Sequence, residues 1–346
     1  MNNILHTFSM ALDWDLMSLT SKIDRFDATW TSIEKREGKS LKQLKSIATV
    51  RSVGASTRIE GAKKRDDEVK ILTEKIDISK LEDRDDQEIA GYKEALDLIT
   101  DSYEDIDITE NTIKHLHRLL LKYCDKDEWH RGDYKQHSNV VEATHLDGRK
   151  EVLFQTTEPG YATEDAMRRL LQWYHSDKTV LPIIRSSLFV YEFLSIHPFQ
   201  DGNGRLSRLL TTLLLLKNGY TWVQYMSFEH EIEDKKVDYY AVLMKCQRQR
   251  PGEDVYPWVN FFLNCLNTIQ GLLANKLEET GITTHLTSRE KSVYTFIGDH
   301  PKTRSGEISE ELNIPLPTIK KLLGEMVEKK LILKYGVGKG TYYTLK

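Results

Sequence analysis

Apolar residues recur three and four positions apart along much of this chain, in Leu96–Ile99, Ile113–Leu121, Met167–Trp173, Ile183–Ile196, Leu206–Leu216 and Val259–Leu273. That period lays one apolar stripe along a helix, so these stretches must bury their stripes against one another and the fold is predicted to be mainly α. A further helix is predicted from near Leu41 to Glu60. Only two stretches read as β-hairpins: Asn139–Gln155, with Asp147-Gly148 as its positive-φ turn, and Ile332–Leu345, with Gly336, Gly338 and Gly340 at its tip.

The 346 residues suffice for two or three domains, and the polar stretch Glu278–Thr287, containing Gly281, is the expected boundary. The net charge of -4 is unevenly spread. From Thr287 to Lys346 there are 11 Lys and Arg against 7 Asp and Glu, a mildly basic unit on an acidic body. No apolar run approaches the ~20 residues of a membrane helix; Leu209–Leu216 stops at Lys217. Asp13 and Asp15 in the opening stretch argue against a secretory leader. Cys124, Cys246 and Cys265 form no CxxC pair, so neither a disulfide framework nor a zinc ribbon is expected and a cytoplasmic location is.

The run His197-Pro198-Phe199-Gln200-Asp201-Gly202-Asn203-Gly204-Arg205-Leu206-Ser207-Arg208 concentrates chemistry. Pro198 disfavours helix at His197, and a new helix is predicted from near Arg205 to Lys217. The Gly-Asn-Gly between can turn backbone N–H groups inward at a helix N-terminus, a ready anion site. Arg205 and Arg208, three apart, share one helical face and suit a polyphosphate. Asp201 is a hard oxygen ligand for a magnesium ion held mainly by phosphates. His197 stands where a neutral imidazole can take a proton from an attacking hydroxyl. These residues describe a phosphate-transfer site.

The same run matches every defined position of HPFx(D/E)GNGRxxR, and the chain resembles the Fic family over roughly residues 108–249. The resemblance implies a Fic-type helical bundle at 106–250, with the hairpin 139–155 as a flap over a target protein's segment. It implies that His197 is the general base and that Asp201 binds Mg2+ or Mn2+. Gly202, Asn203, Gly204, Arg205, Leu206, Ser207 and Arg208 would then surround ATP, and Tyr240, beside Tyr239, would border its adenine. Phe199 would anchor the loop in the core. The implied activity is transfer of AMP from ATP to a Ser, Thr or Tyr hydroxyl. Kinase-type relatives carry lysine where Gly204 stands, so the glycine favours nucleotidyl transfer.

Ser56-Thr57-Arg58-Ile59-Glu60-Gly61 resembles the (S/T)xxxE(G/N) motif of autoinhibited Fic proteins. It lies within a helical region at 1–105, and Glu60 is expected to form a bidentate pair with Arg208. The reverse reaction, removal of AMP from a modified protein, is the alternative for this same fold.

Other features read as structural. His115 and His117, two apart, face different sides of a helix, and His130, His137 and His145 lack metal-ligand spacing. Asp83-Arg84-Asp85-Asp86 reads as a solvated loop or helix start. After a connecting helix at 251–282, residues 283–346 read as three helices and a glycine-tipped hairpin, which resemble a small α+β winged helix-turn-helix domain. Lys320 and Lys321 would open its recognition helix. Such a unit contacts DNA, making the chain a nucleotide-sensing regulator, or serves dimerisation or protein docking; the residues leave these readings, and a homodimer, open.

Overall fold

In the computed structural model, residues 10–11, 13–74, 81, 83–144, 150–279, 287–329 and 331–345 are described. They fall into two compact units, Met1–Leu272 and Leu273–Lys346.

The first unit is helical, as the periodicity predicts. α1 spans Trp14–Ile59, 46 residues, with Asp13 Oδ1 accepting the Leu16 N–H at 2.8 Å as its N-cap. The helix expected from near Leu41 therefore starts at Trp14. Its first half carries Leu16, Leu19, Ile23, Phe26, Trp30 and Ile33 at three-and-four spacing and buries Leu16, Ile23, Trp30 and Ile33. Tertiary contacts hold that half. Trp30 donates its indole N–H to Thr221 at 3.1 Å and lies 5.0 Å from the Tyr225 ring, and Phe26 meets Trp222 edge-on at 5.8 Å.

Next come α2 (Asp66–Glu74), α3 (Arg84–Ser102) and α4 (Glu110–Leu120). Asp83 caps α3, so the expected loop-or-helix start at 83–86 is a helix start. β1 (Val140–Thr144) and β2 (Lys150–Gln155) form an antiparallel hairpin, Val140 opposite Gln155 and Thr144 opposite Lys150, with an irregularity between Val141 and Glu142. The turn with His145 and Asp147-Gly148 lies outside the described residues. α5 (Tyr161–Ser176), α6 (Pro182–Ile196) and α7 (Asn203–Lys217) follow. Every α6 residue from Ile183 to Ile196 is buried, which makes α6 a central rod of the unit. α7 starts at Asn203, two residues before the expected Arg205, and ends at Asn218-Gly219 as expected, Gly219 having φ 94°. α8 (Phe228–Asp234), α9 (Lys236–Gln247) and α10 (Tyr256–Glu279) complete the series. The division between the units falls inside α10, ahead of the polar stretch whose residues 280–286 lie outside the described set.

The second unit holds α11 (Ser288–Asp299), α12 (Ser305–Glu311), α13 (Leu316–Glu328) and a hairpin of β3 (Ile332–Tyr335) and β4 (Tyr342–Leu345). Thr287 and Glu290 form a capping box at α11. Val293, Ile297, Ile308, Ile319, Leu323, Met326, Ile332 and Tyr343 make a core of its own. Among the described residues no helix is long and apolar enough to cross a membrane.

α3 approaches α4 closely at Gly91, where a Cβ would lie 2.1 Å from the Leu120 carbonyl oxygen at the end of α4. Gly91→Ala is expected to push the two helices apart and cost about 1–3 kcal/mol, as overpacking does. A urea midpoint indistinguishable from that of the unchanged chain would contradict this close approach.

Candidate active site at the α6–α7 junction

α6 cannot continue through Pro198, and the chain leaves it at His197, which adopts φ 53°, ψ 60° as the helix C-cap. This left-handed conformation is costly for a residue with a Cβ and persists only where surroundings over-determine it. Those surroundings are backbone hydrogen bonds from buried side chains. The Phe199 N–H donates to Asn203 Oδ1 at 2.9 Å, and Phe199 O accepts from Asn203 Nδ2 at 2.7 Å and Asn139 Nδ2 at 2.9 Å. The Asn203 side chain thus faces the loop's own backbone and is 1% exposed. Phe199 is wholly buried, stacked on His117 at 3.9 Å between centroids, 12° between planes.

His117 is the residue that sequence reasoning undervalued. It is buried, accepts the Gly132 N–H on Nδ1 at 2.8 Å, and so carries its proton on Nε2, 3.0 Å from Asp201 O. Burial, opposed by that bond to Asp201 O, pulls its pKa from 6.5 down to about 3. A neutral imidazole therefore tethers the loop at Asp201. A single sequence offers no signal for this, because His117 and its partners are far apart along the chain.

The two arginines of α7 are both buried and turn to different partners. Arg205 pairs with Asp201 Oδ2 at 3.1 Å and Glu88 Oε2 of α3 at 2.9 Å, while its buried Nε finds no acceptor among the described residues. That donor suits an incoming anion. Arg208 donates from Nε to Ser56 Oγ at 2.8 Å, and from Nη2 to Ser56 O at 2.9 Å and Glu60 Oε1 at 2.7 Å. The expected bidentate carboxylate pair is thus a fork shared between Ser56 and one Glu60 oxygen. A Cβ on Gly204 would stand 2.3 Å from Glu60 Oε1, so glycine there lets the carboxylate in.

Glu60 caps the end of α1, and Gly61 follows at φ 113°. The turn is held from outside. Arg58 binds Glu233 of α8 through Nε at 2.6 Å and Nη2 at 2.9 Å, and Lys236 donates to Ile59 O at 2.6 Å.

His197 is half-buried, and its Nδ1 lies 3.4 Å from Leu194 O, a long contact that assigns the proton to Nδ1 and leaves Nε2 as acceptor. Burial and then the nearby Lys135 lower its pKa from 6.5 to about 4. Burial opposes ionisation of Asp201, but Arg205, the Gly202 N–H and Arg84 outweigh it, and the carboxyl stays below its usual value. Arg84 Nη2 is 2.9 Å from Asp201 Oδ2. The Asp201 side chain remains 42% exposed, and no cluster of three metal-ligating groups occurs among the described residues. The site therefore fits a divalent cation only if phosphate oxygens and water supply most of its ligands.

Leu206 is wholly buried, and Ser207 turns its hydroxyl back to Gly204 O at 2.7 Å. Tyr239 is buried against Ser207 and Arg208, its hydroxyl pushed up to about 12 mainly by burial. Tyr240 is half-buried, with its pKa raised by burial and by Glu60.

Residues 107–215 match the model of the Fic/DOC family. The chain is 30% identical over 181 residues to the protein adenylyltransferase Fic of Drosophila melanogaster, covering 51% of this chain and 32% of the relative. It is 29% identical over 258 residues to the Drosophila yakuba protein of that name, covering 72% and 46%. It thus spans between about a third and a half of the length of these curated relatives. A crystal structure of a Fic family protein from Desulfovibrio desulfuricans G20 superposes with a TM-score of 0.66 at 22% identity, covering 99% of this chain and 98% of that one, a likeness of fold.

The low pKa of His117 sets a pH dependence. A histidine whose folded pKa is depressed contributes stability that is complete above its unfolded value of 6.5 and is lost as pH falls towards its folded value of about 3. His117→Gln, which cannot charge, is expected to be less stable at pH 7.5. Its deficit should shrink on acidification below 6.5 by up to about 1.4 kcal/mol per pH unit. Urea titrations of both chains between pH 7.5 and 4.5 give the two slopes; parallel slopes would place a charged imidazole in the fold.

Proposed function

We propose, from the Fic/DOC domain carried by residues 107–215, that this chain is a protein adenylyltransferase that moves AMP from ATP to a Ser, Thr or Tyr hydroxyl, on itself and on a target protein, and that Glu60 restrains it. The observation that carries the reading is the 2.7 Å contact between Glu60 and Arg208. A carboxylate occupies the cation that a terminal phosphate needs, at the start of a helix preceded by His197 and a glycine-rich loop.

In the reaction, the target hydroxyl oxygen attacks the α-phosphorus as its proton passes to His197 Nε2. The bond from the α-phosphorus to the bridging oxygen breaks, and pyrophosphate leaves. The assigned tautomer and the low basicity of His197 keep Nε2 unprotonated near neutral pH. Arg205 and, once released, Arg208 would hold the outer phosphates, with Gly202 and Gly204 letting the backbone approach. A divalent cation on Asp201 would neutralise charge on the phosphates. Tyr240 would border the adenine.

The target protein would be presented to the hairpin 139–155, where main-chain pairing is a weak specificity code. Residues 283–346 would serve as a docking module for protein or DNA: Lys320 and Lys321 are exposed on α13, yet a surplus of four charges is modest for binding phosphates. Removal of AMP, with Glu60 orienting a water, is the second reading, supported by the exposed fraction of Glu60, 32%.

Glu60→Gly is expected to raise self-modification by about 5–150-fold, the usual span of such coupling. Arg208→Ala should not reproduce that gain, since it removes the phosphate ligand along with the restraint. Initial rates of labelled AMP incorporation at saturating ATP decide it; equal rates for Glu60→Gly and the unchanged chain would remove the restraint from the proposal. His197→Ala is expected to cost about 10²–10⁴ in rate while nucleotide binding persists. Near-normal transfer by that variant would overturn the mechanism.

A further inference from the structure

Lys135 is a buried ammonium outside the signature, 2% exposed. It donates to three oxygens: Asn139 Oδ1 at 2.9 Å, Thr156 Oγ1 at 2.7 Å and Ile196 O at 3.3 Å. Its own backbone N–H donates to Pro198 O at 2.8 Å. Asn139 immediately precedes β1 and Thr156 immediately follows β2, while Ile196 and Pro198 flank His197. Thr156 Oγ1 also lies 2.6 Å from Asn139 Oδ1, which closes the foot of the hairpin. Asn139 Nδ2 reaches Phe199 O, and the His137 N–H reaches Gln200 Oε1 at 3.3 Å.

We propose that Lys135 is a positioning residue: it clasps both ends of the hairpin to the residues either side of His197, so that a segment paired with the hairpin and the imidazole keep one fixed separation. The proposal rests on the reading of His197 as the base that accepts the target's proton.

A clasp of hydrogen bonds alone could be neutral. Burying a charge costs several kcal/mol unless it is paired, and among the described residues no carboxylate forms an ion pair with Lys135. Burial lowers its own pKa to about 8, with Glu158 opposing. The charge that remains near neutral pH faces His197, on which Glu60, Asp201 and the Leu194 carbonyl act in the opposite sense. Lys135 thus both spaces the imidazole and discourages its protonation. The asparagine, threonine and lysine are each unremarkable in sequence, and only their convergence reveals the clasp.

The test compares Lys135→Met with Lys135→Arg in the full chain, each also carrying Glu60→Gly so that transfer is measurable. Hydrogen exchange of the hairpin segment is the first readout. Lys135→Met should exchange several-fold faster over 139–156, and Lys135→Arg should stay close to the unchanged chain. Steady-state transfer is the second: kcat should fall about 10–100-fold in Lys135→Met, as a misplacement of about 1 Å produces, with KM for ATP little changed. The third is the His197 imidazole resonance, assigned by its loss in His197→Ala. Its titration midpoint should rise in Lys135→Met, remain below 6.5, and move little in Lys135→Arg. If Lys135→Met does not fold, Thr156→Val, which removes one acceptor, should show a smaller change of the same sign in exchange. Unchanged hairpin exchange and an unmoved His197 titration would overturn the proposal. Absence of AMP transfer in every variant would fault the function instead, since exchange and titration still report the clasp.

Discussion

The guanidinium of Arg208 is buried on α7 and must be met by oxygen, because an unpaired cation there would cost several kcal/mol. The oxygens come from Ser56 and Glu60 on α1, 152 and 148 residues away in sequence. That requirement fixes the end of α1 against the start of α7. Because Glu60 is the last residue before a positive-φ glycine, its carboxylate reaches Arg208 from a helix terminus. Ser56 lies one turn earlier, within the last turn of α1. Arg208 therefore has one buried partner, Ser56, and one partly exposed partner, Glu60.

The loop between α6 and α7 shows how a strained backbone is kept. His197 sits in the left-handed region, and side chains hold the loop alongside the backbone bonds from the His197 N–H to Phe193 O and the Lys135 N–H to Pro198 O. Asn203, Asn139, His117 and Lys135 each place at least one hydrogen bond on the loop's backbone, and all four come from outside the segment 196–202. The price is polar burial, recovered only because nearly every donor finds its acceptor. Arg205 Nε is an exception, and it lies on the helix that carries the two cations.

Charge at the site is arranged so that groups near one another hold opposite or neutral forms. His117 and His197 are kept uncharged by burial, Asp201 is kept ionised by Arg205 and Arg84, and Lys135 is a buried cation without a carboxylate partner among the described residues. The pattern places a lone pair on His197 at neutral pH beside cations suited to an anion, the combination that proton abstraction next to a phosphate requires.

Local chemistry determined a good deal. Helical period, the proline after His197, the glycine stops and the strand-like runs are short-range features, and from them the mainly helical fold, both hairpins and the break at 197–202 are legible. The match of Ser56–Gly61 to a known motif also singled out Glu60. The first half of α1 carries the same period, in Leu16, Leu19, Ile23, Phe26, Trp30 and Ile33, and the tertiary structure alone decided that it packs near Trp222. It decided that the Arg208 fork divides between Ser56 and Glu60, that Asn203 turns inward, and that His117 and Lys135 belong to the site. All but the turn of Asn203, which bonds Phe199 four residues away, depend on a hydrogen bond between residues far apart in the chain. Periodicity and motif register what a residue does within a turn or two of backbone, whereas the partners of Arg208, His117 and Lys135 are set by which distant element folds against them.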